Sequence, residues 1–157
     1  MGSRRSNASA VIAYAVLYGG DETRRLAVKS ALKRPEKPCL EAILRVFDEL
    51  PDEVRSEVIA GAEPFLSILR QNVRDSDRRM RANICEFLVL MDDTRVAYLL
   101  ADLLQDPDES IKKAAQEGLI SLAHNYHVLA FQFDRGEAKI ARQSIETKKY
   151  ALLDALL

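Results

Sequence analysis

The chain has 157 residues, 48% hydrophobic and 30% charged, which is enough apolar material for one buried core and excludes a disordered or fibrous class. Lys and Arg number 23 against 24 Asp and Glu, so the net charge of −1 gives no global field to hold a polyanion or an acidic bilayer. Cys39 and Cys85 lie in apolar helical patterns without metal-ligand spacing and read as buried thiols of a reducing compartment.

Residues 1–8, "MGSRRSNA", read as an expression-tag remnant, and 9–157 as a single domain. The next stretch, "ASAVIAYAVLY", predicts a helix over 9–18. It is far shorter than the ~20 residues that span a bilayer. "YGGDE" follows it with no small-x-small cleavage pattern, so it is not a signal peptide, and a cytoplasmic location is expected. Further helices are expected near 38–50, 64–73 and 95–104, each paired with a second helix starting near 21, 51, 77 and 108. Leu40, Ile43, Leu44 and Phe47 form one i, i+3, i+4, i+7 stripe, and Val96, Leu99, Leu100 and Leu103 form another. Gly19-Gly20, Pro35, Pro38, Pro51, Pro64 and Pro107 fall where helices stop or start. "HVLAFQF" (His127 to Phe133) comes closest to a strand but has no partner and no hairpin turn. Beyond it, "DRGEAKIARQSIETKKYALLDALL" predicts a charged helix and then an apolar segment.

The chain repeats itself. "DESIKKAAQEGLISL" from Asp108 registers on "DRRMRANICEFLVLM" from Asp77, 31 residues earlier. Ile111 falls on Met80, Ala115 on Ile84, Gly118 on Phe87 and Leu119 on Leu88. "DETRRLAVKSAL" from Asp21 takes the same register, and "PDEVRSEVIAGA" from Pro51 is a looser copy. A period of about 30 residues is one helix pair per repeat, and such pairs must stack because none hides its apolar face alone. In this pattern the Asp caps the second helix. A small residue (Ala31, Gly61, Gly118) permits close approach, and Arg25, Arg55, Arg81 and Lys112 recur at one basic position.

On these residues the sequence resembles the HEAT-repeat family, in the short bacterial form found among phycobilin-lyase-type HEAT proteins, whose second helix reads Asp-x-x-apolar-Arg-x-x-Ala-Ala-x-x-Ala-Leu-x-x-Leu. The match is good over 64–122, fair over 21–32 and weak over 51–62. The resemblance implies an all-α fold, a right-handed α-solenoid of about four to five helix pairs, with second helices on the concave face. It also implies that Arg25, Arg55, Arg81 and Lys112 form a ladder paired with the aspartates of adjacent repeats, and that the chain is a non-enzymatic scaffold binding another protein; no cofactor is expected. The outward positions of the second helices then supply the partner-binding candidates: Lys29, Ile59, Cys85, Glu86, Val89, Lys113, Glu117 and Ile120. A ridge that is small and apolar in its middle and charged at its ends suits a partner helix or peptide.

Other chemistries have thinner support. His124 and His127 have no third ligand in register and read as an inter-helix turn. Asp92-Asp93 and Asp106/Asp108 stand just before helices and read as caps. There is no nucleophile elbow and no phosphate loop. Arg70, Arg74, Arg78, Arg79 and Arg81 around one hairpin support the alternative, a nucleic-acid-binding or DNA-repair module like the HEAT-like glycosylases, but no Trp and no second basic stripe accompany them. A lyase subunit handling a tetrapyrrole is a third class, with no pocket residues to recommend it. The first helix is apolar nearly all round, and the sequence closes on "YALLDALL". This predicts either a fragment of a longer solenoid or an end that stacks on another copy.

Overall fold

The computed structural model describes the backbone of residues 3–133 and 139–156, and the side chains of 7–127 and 146–156. All regular structure among the described residues is helical, with no strand: α1 (Ser3–Tyr18), α2 (Asp21–Lys33), α3 (Lys37–Arg45), α4 (Asp52–Ala60), α5 (Leu66–Asn72), α6 (Arg78–Met91), α7 (Ala97–Leu103), α8 (Glu109–Phe133) and α9 (Lys139–Leu156). Short 3-10 turns at Phe47–Glu49, Glu63–Phe65 and Thr94–Val96 join them. No described helix is long and apolar enough to cross a membrane. The chain divides into two compact units, one ending at Phe87 and one beginning at Leu88.

The predicted helices near 38–50, 64–73 and 95–104 are each shorter than expected, with one end tightened into a 3-10 turn. Pro64 sits in the first turn of one, and Asp93 caps another by accepting from the Arg95 N–H at 2.9 Å. Such turns satisfy the orphan groups of short helices. Both apolar stripes are buried in full, Leu40, Ile43, Leu44 and Phe47 in the first unit and Val96, Leu99, Leu100 and Leu103 in the second.

In the first unit α1 packs on α2 and α3, α3 on α5, and α2 on α4. First helices therefore neighbour first helices, and second helices neighbour second helices. Three fully buried rings hold the centre, with Phe87 5.2 Å from Phe47 and 5.0 Å from Phe65 between centroids. Rings at these separations add about 0.5–1.5 kcal/mol per pair beyond their area. Asn83 of α6 is buried and donates to the Leu44 and Arg45 carbonyls at 2.8 and 3.2 Å and to Asp48 at 3.0 Å. Those carbonyls end α3, so a side chain from α6 satisfies the last turn of another helix.

In the second unit α7 packs on α8 and α9, and α8 packs on α9. Ile111, Ala115, Leu119 and Leu122 line the inner face of α8, and Leu152 and Ala155 come from α9. A Cβ at Gly118 would stand 2.7 Å from Val89 Cγ2 and 3.5 Å from Leu100 Cδ1, so this glycine allows the close approach expected of it. Gly61 does not: its nearest neighbours would lie at 3.7 Å or beyond, and it ends α4 as the C-cap.

The Asp turn is the clearest repeated feature. The Asp77 N–H donates to Asp75 at 2.8 Å, and Asp77 accepts from the Arg79 N–H at 2.9 Å. The Asp108 N–H donates to Asp106 at 2.8 Å, and Asp108 accepts from the Ser110 N–H at 2.9 Å. The same caps are missing from α2 and α4, where Gly20 and Pro51 hold the N-cap position with no side-chain bond. Asp21 and Asp52 fall one residue inside, where their charge complements the helix dipole instead.

Two expectations are corrected. His124 and His127 lie inside α8, which continues to Phe133, not in an inter-helix turn. No Gly or Pro stands between Gly118 and Phe133 to stop the helix. Asp92 is no cap: it takes the left-handed conformation, φ 49°, just after α6, and accepts from the Asn125 amide at 3.0 and 3.1 Å.

Replacing Asn83 by Leu removes a donor from one buried and one part-buried carbonyl and is expected to cost about 1–3 kcal/mol in urea unfolding. Gly118→Val forces Val89 and Leu100 apart and should cost a similar ~1–3 kcal/mol. An unchanged midpoint for either variant contradicts the packing described.

Candidate interaction surface

The eight residues expected to meet a partner have different fates. Cys85 is buried in α6, so its expected outward place is corrected: its side chain belongs to the core. Ile59 is half-buried on α4. Lys29 of α2 lies 3.6 Å from Glu57 of α4, and Glu86 of α6 pairs with Arg55 of α4. With Arg25 3.9 Å from Glu53, these pairs join successive second helices in the first unit. The partners are glutamates one helix on, not the expected aspartates. Arg81 donates to the Asp75 and Ser76 carbonyls, while Lys112 pairs with Glu109 in its own first turn.

In the second unit Lys113, Glu117 and Ile120 share one face of α8 at i, i+4, i+7 and are all exposed, Ile120 by 61%. Lys113 and Glu117 stand 4.0 Å apart. Val89, 36% exposed, lies against the α8 backbone at Gly118. Ile120 is thus presented to solvent beside a loose ion pair, while Val89 meets α8 on its buried Gly118 side.

Arg79 of the basic hairpin is engaged with carboxylates of the 47–49 turn. Arg79 forks onto Asp48 at 2.9–3.2 Å and also pairs with Glu49, which in turn receives Arg24 at 2.7 Å. Arg24 donates as well to the Val16 and Leu17 carbonyls at 3.0 and 3.3 Å, which end α1. This network ties α1, α2, the 47–49 turn and α6 together. Burial pushes the Asp48 carboxyl up, but the hydrogen bonds from Arg79 and Asn83 and the Arg79 charge outweigh it and hold it below the usual range. The Arg79 hydrogen bond, with Arg24 behind it, holds Glu49 low against a small burial effect. Sequence inspection passed over this network; its signal was the spacing of 31 and 30 residues from Arg79 back to Asp48 and Glu49, one repeat length.

The second unit also contains an open cavity of about 390 Å³, lined by residues 91–95, Leu122, Asn125, Tyr126 and Lys148. Arg95 neutralises Asp93 with contacts at 2.7 and 2.9 Å, and burial of Asp93 is outweighed by Arg95 and the Lys148 charge, so its carboxyl stays low. Burial and the Glu146 charge push the Tyr126 phenol up. No cluster of three or more potential metal ligands occurs among the described residues.

No family model matches the chain, and no curated protein or solved structure is similar to it.

Because Asp48, Glu49 and Asp93 are all held low in the folded state, their contribution to stability is complete above the ordinary carboxylate range, ~pH 4. It is lost as pH falls through their depressed folded values. The melting temperature should stay level from about pH 7 to 5 and drop below about pH 4. Arg79→Met should lower neutral stability by only about 1 kcal/mol, given solvent screening, and make the acid drop shallower. An acid limb identical in both proteins speaks against the network.

Proposed function

We propose that this chain is a non-enzymatic HEAT-like α-solenoid module that binds a helix or peptide of another protein through the outward face of its second helices. The observation that carries this proposal is the exposed face of α8. Ile120 offers apolar surface there, and Lys113 and Glu117 offer charges of both signs to orient a partner. Second-helix ion pairs at intervals near one repeat length, Arg25 to Glu53, Lys29 to Glu57 and Arg55 to Glu86, are what stacked copies of one hairpin produce. The recurring Asp turn before α6 and α8 supports the same repeat. A right-handed superhelix is the arrangement that fits this succession. In the first unit Lys29, Ile59 and Glu86 lie on the second helices, with the charges already paired across helices.

A random-peptide display library selected on the immobilised protein tests the proposal. Peptides that enrich should be titrated by fluorescence anisotropy against wild type and Ile120→Glu. Loss of an aliphatic contact worth about 1.5–3 kcal/mol when buried should weaken binding about tenfold or more. Failure of any peptide to enrich, or equal affinity for both proteins, removes the proposal. Circular dichroism of the variant separates lost binding from lost folding.

A further inference from the structure

From Asn7 to Tyr18, α1 carries no charged side chain. Its inner side is occupied. Ser9 and Val16 are buried, the Cys39 thiol donates to the Ser9 carbonyl at 3.4 Å, and the helix packs on α2 and α3. A helix that is apolar all round is ordinarily covered all round. Here the outer side is open: Val11, Tyr14 and Tyr18 are exposed by 68, 67 and 70%. Their i, i+3, i+7 spacing makes a straight seam of the kind one helix presents to another. The Tyr14 and Tyr18 rings pack together with centroids 4.7 Å apart, so they present one aromatic plate, with exposed Ala8 and Ala10 beside it.

We propose that this seam is the contact between two copies of the chain, α1 of one lying on α1 of the other about a twofold axis. Two considerations select this occupant. A 3-4 seam accepts knobs from a helix of the same repeat, and α1 is itself such a helix. A twofold contact brings the same patch face to face, which like charges oppose; an uncharged patch meets no such repulsion, and tyrosine hydroxyls can stay wet at its edge. The area sets the strength of the contact. Each two-thirds-exposed tyrosine leaves on the order of 100–150 Å² uncovered. The seam comes to ~400 Å², within the range of the largest patch on a typical monomer and about half of the ~800 Å² per partner in a standard interface. The dimer is therefore reversible, dissociating in the micromolar range or above.

Sedimentation equilibrium from micromolar to millimolar protein decides it. Wild type should pass from monomer to dimer and no further. Val11→Glu/Tyr14→Glu, at sites with room for either side chain, should weaken dimerisation about tenfold or more with unchanged helicity. In case that variant does not fold, Tyr14→Cys under mild oxidation should form a cross-linked dimer that survives dilution, since Cys39 and Cys85 are buried. A monomer across the whole range overturns the proposal, as does a dimer indifferent to the charged pair or a dimer that Tyr14→Cys does not lock. Growth beyond the dimer overturns it too, and points to the exposed Tyr150, Leu153 and Leu156 of α9 as a second sticky face.

Discussion

A short helical hairpin has more apolar surface than its own partner helix can cover, and within each unit the packing answers that shortage. In the first unit Phe47, Phe65 and Phe87 come from three separate segments and meet in one buried cluster. None of those segments can exclude water from its ring alone. The order of neighbours, α1 on α3 on α5 and α2 on α4, follows from each pair lending its free face to the next. In the second unit α9 packs on α7 and α8 in the same spirit and buries Leu152 and Ala155.

Polar interactions then specify how the pieces meet. Asn83 and Arg24 do more than pair with carboxylates: each reaches back to carbonyls that end a neighbouring helix. Left alone, those carbonyls would oppose burial; satisfied from the next element, they lock one register of packing. The charges on the second helices are mostly matched with their neighbours, Lys29 with Glu57 and Arg55 with Glu86, so little of the first unit's ridge is left to attract a partner by charge. What remains available is apolar: Ile120 on one unit, and the tyrosine seam of α1 on the other.

The stripes were legible because a 3.6-residue period is a property of sequence alone. Leu40, Ile43, Leu44 and Phe47 fall on one buried face, as do Val96, Leu99, Leu100 and Leu103. The Asp turn before α6 and α8 was legible for a similar reason, since an Asx turn involves only residues two or three apart. Cys85 was misplaced because its register with the other copies was assumed to keep its direction, and burial in α6 depends on what packs there. His124 and His127 lie past the last repeat match, which ends at 122, but the end of a repeat pattern is not the end of a helix. A helix continues until a residue stops it, and nothing in 119–133 does.

The sequence by itself determined that the chain is helical, where most helices begin, and which faces they bury. Each of these follows from local propensity, capping and periodicity. Only the tertiary structure decided which arginine meets which carboxylate, that Asn83 ends α3 from another helix, and that Gly118 is a close contact while Gly61 is a cap. Those outcomes depend on distances between segments far apart in the chain. A linear pattern encodes which surfaces are apolar, but the partner for each surface is set when the segments compete to cover one another.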